Sequence, residues 1–244
     1  MTVLVVTGTG TGVGKTVVTA AIAALARDRG ASVAVVKPAQ TGVRPGEPGD
    51  LETVRRLAGA EDLHEWARYP DPLSPAASAR RCDLPALDLG AAAERVHALA
   101  ANRRLVLVEG AGGLLVRYDQ NGGTLADLAR LLAAPVLVVV RAGLGTLNST
   151  ALTLEALAHR GLELAGVVLG SWPAAPDLAA RSNVSDLEAL AAQPLAGVLP
   201  EGAGGLQPAE FLHAARAGLL PAYGGRFDAA DFRRAADPLP RGIA

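Results

Sequence analysis

The chain has 244 residues, half of them hydrophobic, and its 23 basic residues against 24 acidic ones leave a formal net charge of −1. That length suits one α/β domain with a substantial core, and the balanced charge gives no basic footprint for nucleic acid. A single cysteine, Cys82, excludes an internal disulfide, and the opening residues have neither the charged start of a signal peptide nor an apolar span of membrane length, so a cytoplasmic protein without nucleic-acid or membrane partners is expected.

The first strand is expected over Val3 to Thr7, followed by GTGTGVGKT from Gly8 to Thr16 and a helix over Thr16 to Arg29. A strand, a glycine-rich loop and a helix with Lys-Thr at its start make a phosphate cradle: backbone N–H groups wrap the anion, the lysine reaches the outer phosphates and the hydroxyl serves Mg²⁺. The spacing departs by one residue from the strict Walker A form, with Gly8 and Gly10 flanking Thr9, where the first glycine would fall. A ligand-free glycine turn is the alternative, and the flanking elements with Lys15 and Thr16 weigh against it.

Further apolar runs predict strands over Ser32 to Lys37, Leu105 to Glu109, Val136 to Arg141, Leu164 to Leu169 and Leu195 to Leu199. Helices are expected over Asp50 to Ala58, Leu89 to Ala101, Thr124 to Leu132, Leu147 to Arg160 and Asp177 to Ala192. Continuous rather than alternating hydrophobicity fits strands covered on both faces, hence an α/β fold with a doubly wound, mostly parallel sheet and helices on both sides. YPDPLSP at Tyr69 to Pro75 reads as a surface or cleft-lining loop, and Val43 to Gly49 as mobile. The catalytic core is expected to end near residue 204. The helical tail beyond it, with an amphipathic piece at Asp228 to Ala235 and prolines at 238 and 240, reads as packing or fraying.

In open α/β sheets ligands bind beyond the carboxyl ends of strands, and the polar residues collect there. The chain contains 21 arginines and two lysines, Lys15 and Lys37, each placed at a strand end, which points to a need for a compact ammonium at both sites. Glu109 ends an apolar strand, where an idle carboxylate would be costly. Gly145 to Asn148 precede a helix and form a second anion site, with Thr146 or Asn148 as plain caps the alternative. The histidines, at 64, 97, 159 and 213, show no ligand spacing and disfavour zinc. Cys82, Trp66 and Trp172 read as structural.

Taken in order, TGTxTxVGKT at Thr7 to Thr16, KPxxTG at Lys37 to Gly42, VEGAGG at Val108 to Gly113 and LGTLN at Leu144 to Asn148 resemble the dethiobiotin synthetase family. The resemblance implies an ATP-dependent, carbon–nitrogen bond-forming cyclo-ligase of biotin biosynthesis that carboxylates diaminopelargonate with CO2 and closes the ring through a carbamate and a carbamic-phosphoric anhydride. Carbamate and triphosphate repel, so cations are needed between them, and Lys15 and Lys37 fit that role. Gly12, Val13, Gly14, Lys15, Thr16 and Val17 would hold the nucleotide phosphates, and Thr16, Asp50 and Glu109 Mg²⁺, although Asp50 could instead be a helix N-cap. Lys37, Thr41, Ala111, Gly112 and the segment Leu144, Gly145, Thr146, Leu147 and Asn148 would bind the substrate, the last five from the partner subunit of a homodimer with shared sites.

Members that favour adenine commonly carry an Asn-Asp pair after the strand corresponding to Leu164 to Leu169, where this chain has Gly170, Ser171 and Trp172. ATP or another triphosphate such as CTP is therefore expected, held by its phosphates and by backbone near Gly170, Pro200 and Ala203. The competing reading is a regulatory or positioning P-loop ATPase acting as a binding switch. Such proteins carry an extra lysine near the start of the loop, where this chain has Gly10.

Overall fold

The computed structural model describes residues 3–236. Seven strands, β1 (Val3–Gly8), β2 (Val33–Thr41), β3 (Leu63–Tyr69), β4 (Leu105–Glu109), β5 (Val136–Val140), β6 (Leu164–Trp172) and β7 (Gly197–Pro200), form one sheet in the order β3-β2-β4-β1-β5-β6-β7. All their pairings are parallel. Because β1 lies between β4 and β5, connections leave it toward opposite edges, and the crevice at its carboxyl end is a topological switch point.

Side chains alternate along each strand, which divides the core into two layers. Leu4, Val6, Leu107, Leu137 and Val139 pack beneath α1 (Lys15–Asp28), α2 (Asp50–Ala58) and, later in the chain, Pro208–Gly218. Val5, Val106, Val108, Val138 and Leu169 face the other side, under α4 (Leu89–Ala100), α5 (Leu125–Leu131), α6 (Thr146–His159) and α7 (Leu178–Ala191). The remaining helices are α3 (Pro75–Arg81), α8 (Pro208–Gly218) and α9 (Ala229–Ala236). The prolines expected at 238 and 240 lie outside the described residues.

Several boundaries move relative to expectation. β2 runs on to Thr41, so Lys37 stands inside the strand rather than at its end, and β6 runs on to Trp172. Within the proline-rich stretch, Tyr69 closes β3 and is buried, while Pro75 opens α3 as its first residue, where a missing N–H costs nothing. The Val43 to Gly49 loop makes hydrogen bonds to β3. Arg68 on β3 grips Glu65 with two nitrogens and donates to the carbonyls of Arg44 (3.2 Å) and Glu47 (2.6 Å), and the Glu47 carboxylate accepts from the Arg44 N–H.

Candidate active site

The loop after β1 turns through Gly12 and Gly14, both at positive φ, the region glycine enters without penalty. Gly14 is the N-cap of α1 and has no side chain to close the helix end, so the free N–H groups face the cavity at the sheet's carboxyl edge. Gly12, Gly14, Lys15, Thr16 and Val17 line a cavity of about 480 Å³ together with Lys37, Thr41, Asp50, Glu109, Ala111 and Gly112. Four separated segments of sequence thus converge on one chamber. Val13 faces inward and is buried in the core layer beneath α1.

Lys37 Nζ lies 2.5 Å from Asp50 Oδ2 and 2.8 Å from Glu109 Oε1, and also donates to the Gly110 carbonyl at 3.2 Å. The same Glu109 oxygen accepts from the Thr16 hydroxyl at 2.8 Å. Lys37 and Glu109 are 3% and 1% exposed, so neither charge is stable alone there, and their pairing is what permits both. Burial alone would lower the Lys37 pKa, but the two carboxylates outweigh it and hold the ammonium above the usual lysine range. Lys15 goes the other way: burial, with the Lys37 charge second, lowers it from 10.5 to about 8. Its Nζ donates to the Gly10 carbonyl at 2.8 Å.

Asp50 is the first helical residue of α2, and Gly49 is the N-cap, so the expected capping alternative is replaced by a contact with Lys37. Gln40 positions it, accepting from the Asp50 N–H at 2.9 Å and donating to the Thr41 carbonyl at 3.2 Å. Gln40 and Thr53 line the cavity and were not foreseen, although Gln40 lies within KPxxTG and Thr53 follows Asp50 by one helical turn. Glu109 Oε2 is buried with no hydrogen-bond partner. Among the described residues no group of three or more His, Cys, Asp or Glu side chains could hold a metal. Two carboxylates with the Thr16 hydroxyl instead suit a hard cation that keeps waters and takes phosphate oxygens, the coordination habit of Mg²⁺.

The segment Leu144 to Asn148 is separate from this chamber. Gly145, at positive φ, is the N-cap of α6 without a side-chain cap, so neither Thr146 nor Asn148 caps the helix. Thr146 is buried with its hydroxyl unpartnered, Leu144 is 93% exposed, and Leu147 and Asn148 line a groove shared with α7. Asn183 of α7 ties the preceding loop by donating to the carbonyls of Ala142 (2.8 Å) and Gly143 (3.2 Å).

A second cavity, about 370 Å³, adjoins the loop at Gly12 and Val13 and is lined by Arg141, Ser171, Asp177 and Glu201. Arg141 donates to the Thr11 carbonyl at 2.8 Å. Gly170 lies directly under the loop. Pro200 ends β7 exposed, and Ala203 is buried in the core layer.

A family model described as an AAA domain matches residues 2–204. The chain is 69% identical to the ATP-dependent dethiobiotin synthetase BioD of a Parafrankia species, covering 96% of this chain and 98% of that protein. It is 71% identical to the protein of that name from Frankia casuarinae (96% and 98% covered) and 58% identical to that from Streptomyces coelicolor (95% and 98%). Among solved structures, a ParA family ATPase from Chlorobium tepidum superposes with a TM-score of 0.55 at 14% identity, covering 88% of this chain and 96% of that one. The FtsY protein of Thermotoga maritima gives 0.52 at 20% identity, with 88% and 68% covered. These last two show a shared fold, whereas the sequence relatives match nearly the whole chain at high identity: the chain belongs to the ATP-dependent dethiobiotin synthetase family.

Proposed function

We propose that the chamber at the end of β1 is where this ATP-dependent ligase of biotin biosynthesis forms its carbon–nitrogen bond, with Lys15 and Lys37 as the catalytic cations. The observation that carries the reading is Lys37 held by Asp50 and Glu109 in the same chamber as the phosphate-binding loop. The substrate amine captures CO2 as a carbamate. A carbamate oxygen attacks the γ-phosphorus, the β–γ bridging bond breaks and ADP leaves. The second amine then attacks the carbamoyl carbon, phosphate departs with the carbamate oxygen, and the ring closes with loss of the amine protons.

In this sequence Lys37 screens the approach of two anions in a water-poor site, and Lys15 with the loop N–H groups takes up charge on the γ-phosphate. Holding carbamate and triphosphate in line makes the attack effectively unimolecular. Thr16, Asp50 and Glu109 would hold Mg²⁺, which when bound neutralises phosphate charge. Thr41, Ala111 and Gly112 are placed to hold the carbamate end of the substrate.

The substrate carboxylate is assigned to Gly145–Asn148 of a partner subunit. Exposed Leu144, just before α6, and exposed Leu152 on it supply apolar side chains for a second copy. The nucleoside is assigned to the backbone near Gly170, Pro200 and Ala203, at the cavity beside Arg141 and Glu201, where no Asn-Asp pair reads adenine, so CTP and other triphosphates are expected to serve alongside ATP. We treat the chain as one domain and place the reaction in the cytoplasm, where its co-substrates are made. Phosphate release measured with and without diaminopelargonate and bicarbonate tests the reading: dependence on both supports it, and equal release without them supports a nucleotide switch.

A further inference from the structure

The C-terminal helix α9 is remote from the phosphate-binding loop, yet it is tied to the two segments that wall the cavity beside Arg141. Phe232 meets the Trp172 ring edge-on with centroids 5.0 Å apart, and Phe227 supports Phe232 at 5.5 Å. Arg233 reaches Glu188 Oε2 on α7 at 2.5 Å, and the other oxygen of that buried carboxylate accepts from the Leu195 N–H at 3.0 Å. Arg181, in the first turn of α7, donates from Nε to the carbonyl of Ala236 at 3.0 Å.

These ties matter because of what Trp172 and α7 carry. Ser171 and Pro173 line the cavity, and Trp172 between them packs with Phe232 against the α7-side core layer, where the register of β6 shifts between Leu169 and Trp172. The Trp172 carbonyl accepts from the Glu201 N–H at 2.7 Å, fixing a second wall residue. Asp177 and Ala180, at the start of α7, complete the outer wall, one turn from Arg181. Behind the wall, α9 packs against α7 and sets Phe232 against Trp172.

We propose that α9 is a positioning element for the nucleoside subsite, with Phe232 and Arg233 as positioning residues that act through Trp172 and α7 without touching the nucleotide. This rests on the assignment of the nucleoside to the Arg141 cavity. Loss of the brace lets the wall relax, which weakens binding of the nucleoside while leaving the phosphate cradle intact.

The test compares ATP with inorganic tripolyphosphate, which fills the cradle but has no nucleoside, by calorimetric titration of full-length variants. Phe232→Ala and the milder surface change Arg233→Gln are each expected to weaken ATP roughly threefold to tenfold, the scale of one aromatic or partly buried charged contact, and to leave tripolyphosphate unchanged. Phe232→Leu should recover part of the loss, and kcat at saturating ATP should stay near wild type. Equal weakening of both ligands, or unchanged ATP affinity in both variants, would overturn the proposal. Ala175 also lines the cavity, and Ala175→Trp, which fills it, tests the premise separately. If it leaves ATP affinity intact, the nucleoside lies elsewhere and the proposal falls with its premise; if it weakens ATP while the α9 variants do not, only the role of α9 is refuted.

Discussion

Gly14 and Gly170 meet backbone to backbone: a Cβ placed on Gly14 would lie 2.7 Å from the Gly170 carbonyl oxygen, and one placed on Gly170 would overlap the Val13 carbonyl. The phosphate-binding loop is therefore shaped from below by β6 as well as by its own glycines. Gly170→Ala must push the loop off its seat, an overpacking cost of about 1–3 kcal/mol. The expected result is a lower melting temperature together with at least a tenfold rise in KM for the nucleotide. Gly205, outside the loop and with open space around its Cβ position, is the control, and Gly205→Ala should leave both values unchanged. A Gly170→Ala enzyme with wild-type KM would show that the loop does not depend on this contact.

Lys37→Arg keeps the charge and loses the fit. Lys37 is confined among Asp50, Glu109 and the Gly110 carbonyl, and a planar fork is wider than a point ammonium. Turnover is expected to fall roughly a hundredfold or more, as when one preorganised donor is removed, with the fold retained by circular dichroism. Near-normal kcat in the purified variant would remove Lys37 from transition-state stabilisation.

The lowered pKa of Lys15 has two opposite consequences. Since the folded value of about 8 is below the ordinary 10.5, the unfolded chain binds more protons between them, so this group makes the protein more stable as pH rises through that window. Nucleotide capture moves the other way, because the ammonium is lost from the free enzyme above about pH 8. We expect kcat/KM for the nucleotide to fall toward tenfold per pH unit above that point, without unfolding. A profile flat to pH 9.5 would contradict the assignment.

Shared sites predict complementation. Lys15→Ala damages the chamber and Asn148→Asp the partner's carboxylate site, so mixing the two inactive proteins should regenerate some intact sites. Recovered activity in the mixture, with sedimentation of a dimer, is the expected result. No recovery from exchanging subunits would place the carboxylate within one chain.

The strands and helices that could be read from sequence are those with long apolar runs, such as Val136–Val140, buried along its whole length. β3 escaped because Leu63–Tyr69 is an edge strand, half-buried through most of its length and carrying Glu65 and Arg68, so no apolar run marks it. That omission also hid the Arg68 grip on the Val43 to Gly49 loop. α8 opens with a capping box between Gln207 and Glu210 that was available in the sequence but unaccompanied by a strong apolar stripe. In the chamber, Lys15 and Thr16 were legible from the glycine-rich loop between strand and helix, and Lys37 and Glu109 because each ends an apolar run. Arg141 and Glu201 were not, since the cavity between them exists only once β5, β6 and β7 are adjacent.

In the proposed reaction a carbamate oxygen attacks the γ-phosphate. Bicarbonate labelled with oxygen-18, used in a single turnover before exchange with water, tests this most directly by mass analysis of the released phosphate. One labelled oxygen per phosphate is predicted, because the bridging carbamate oxygen leaves with the phosphoryl group. Phosphate whose only new oxygen comes from water would contradict the account, since the nucleotide would then be hydrolysed without ever joining the substrate.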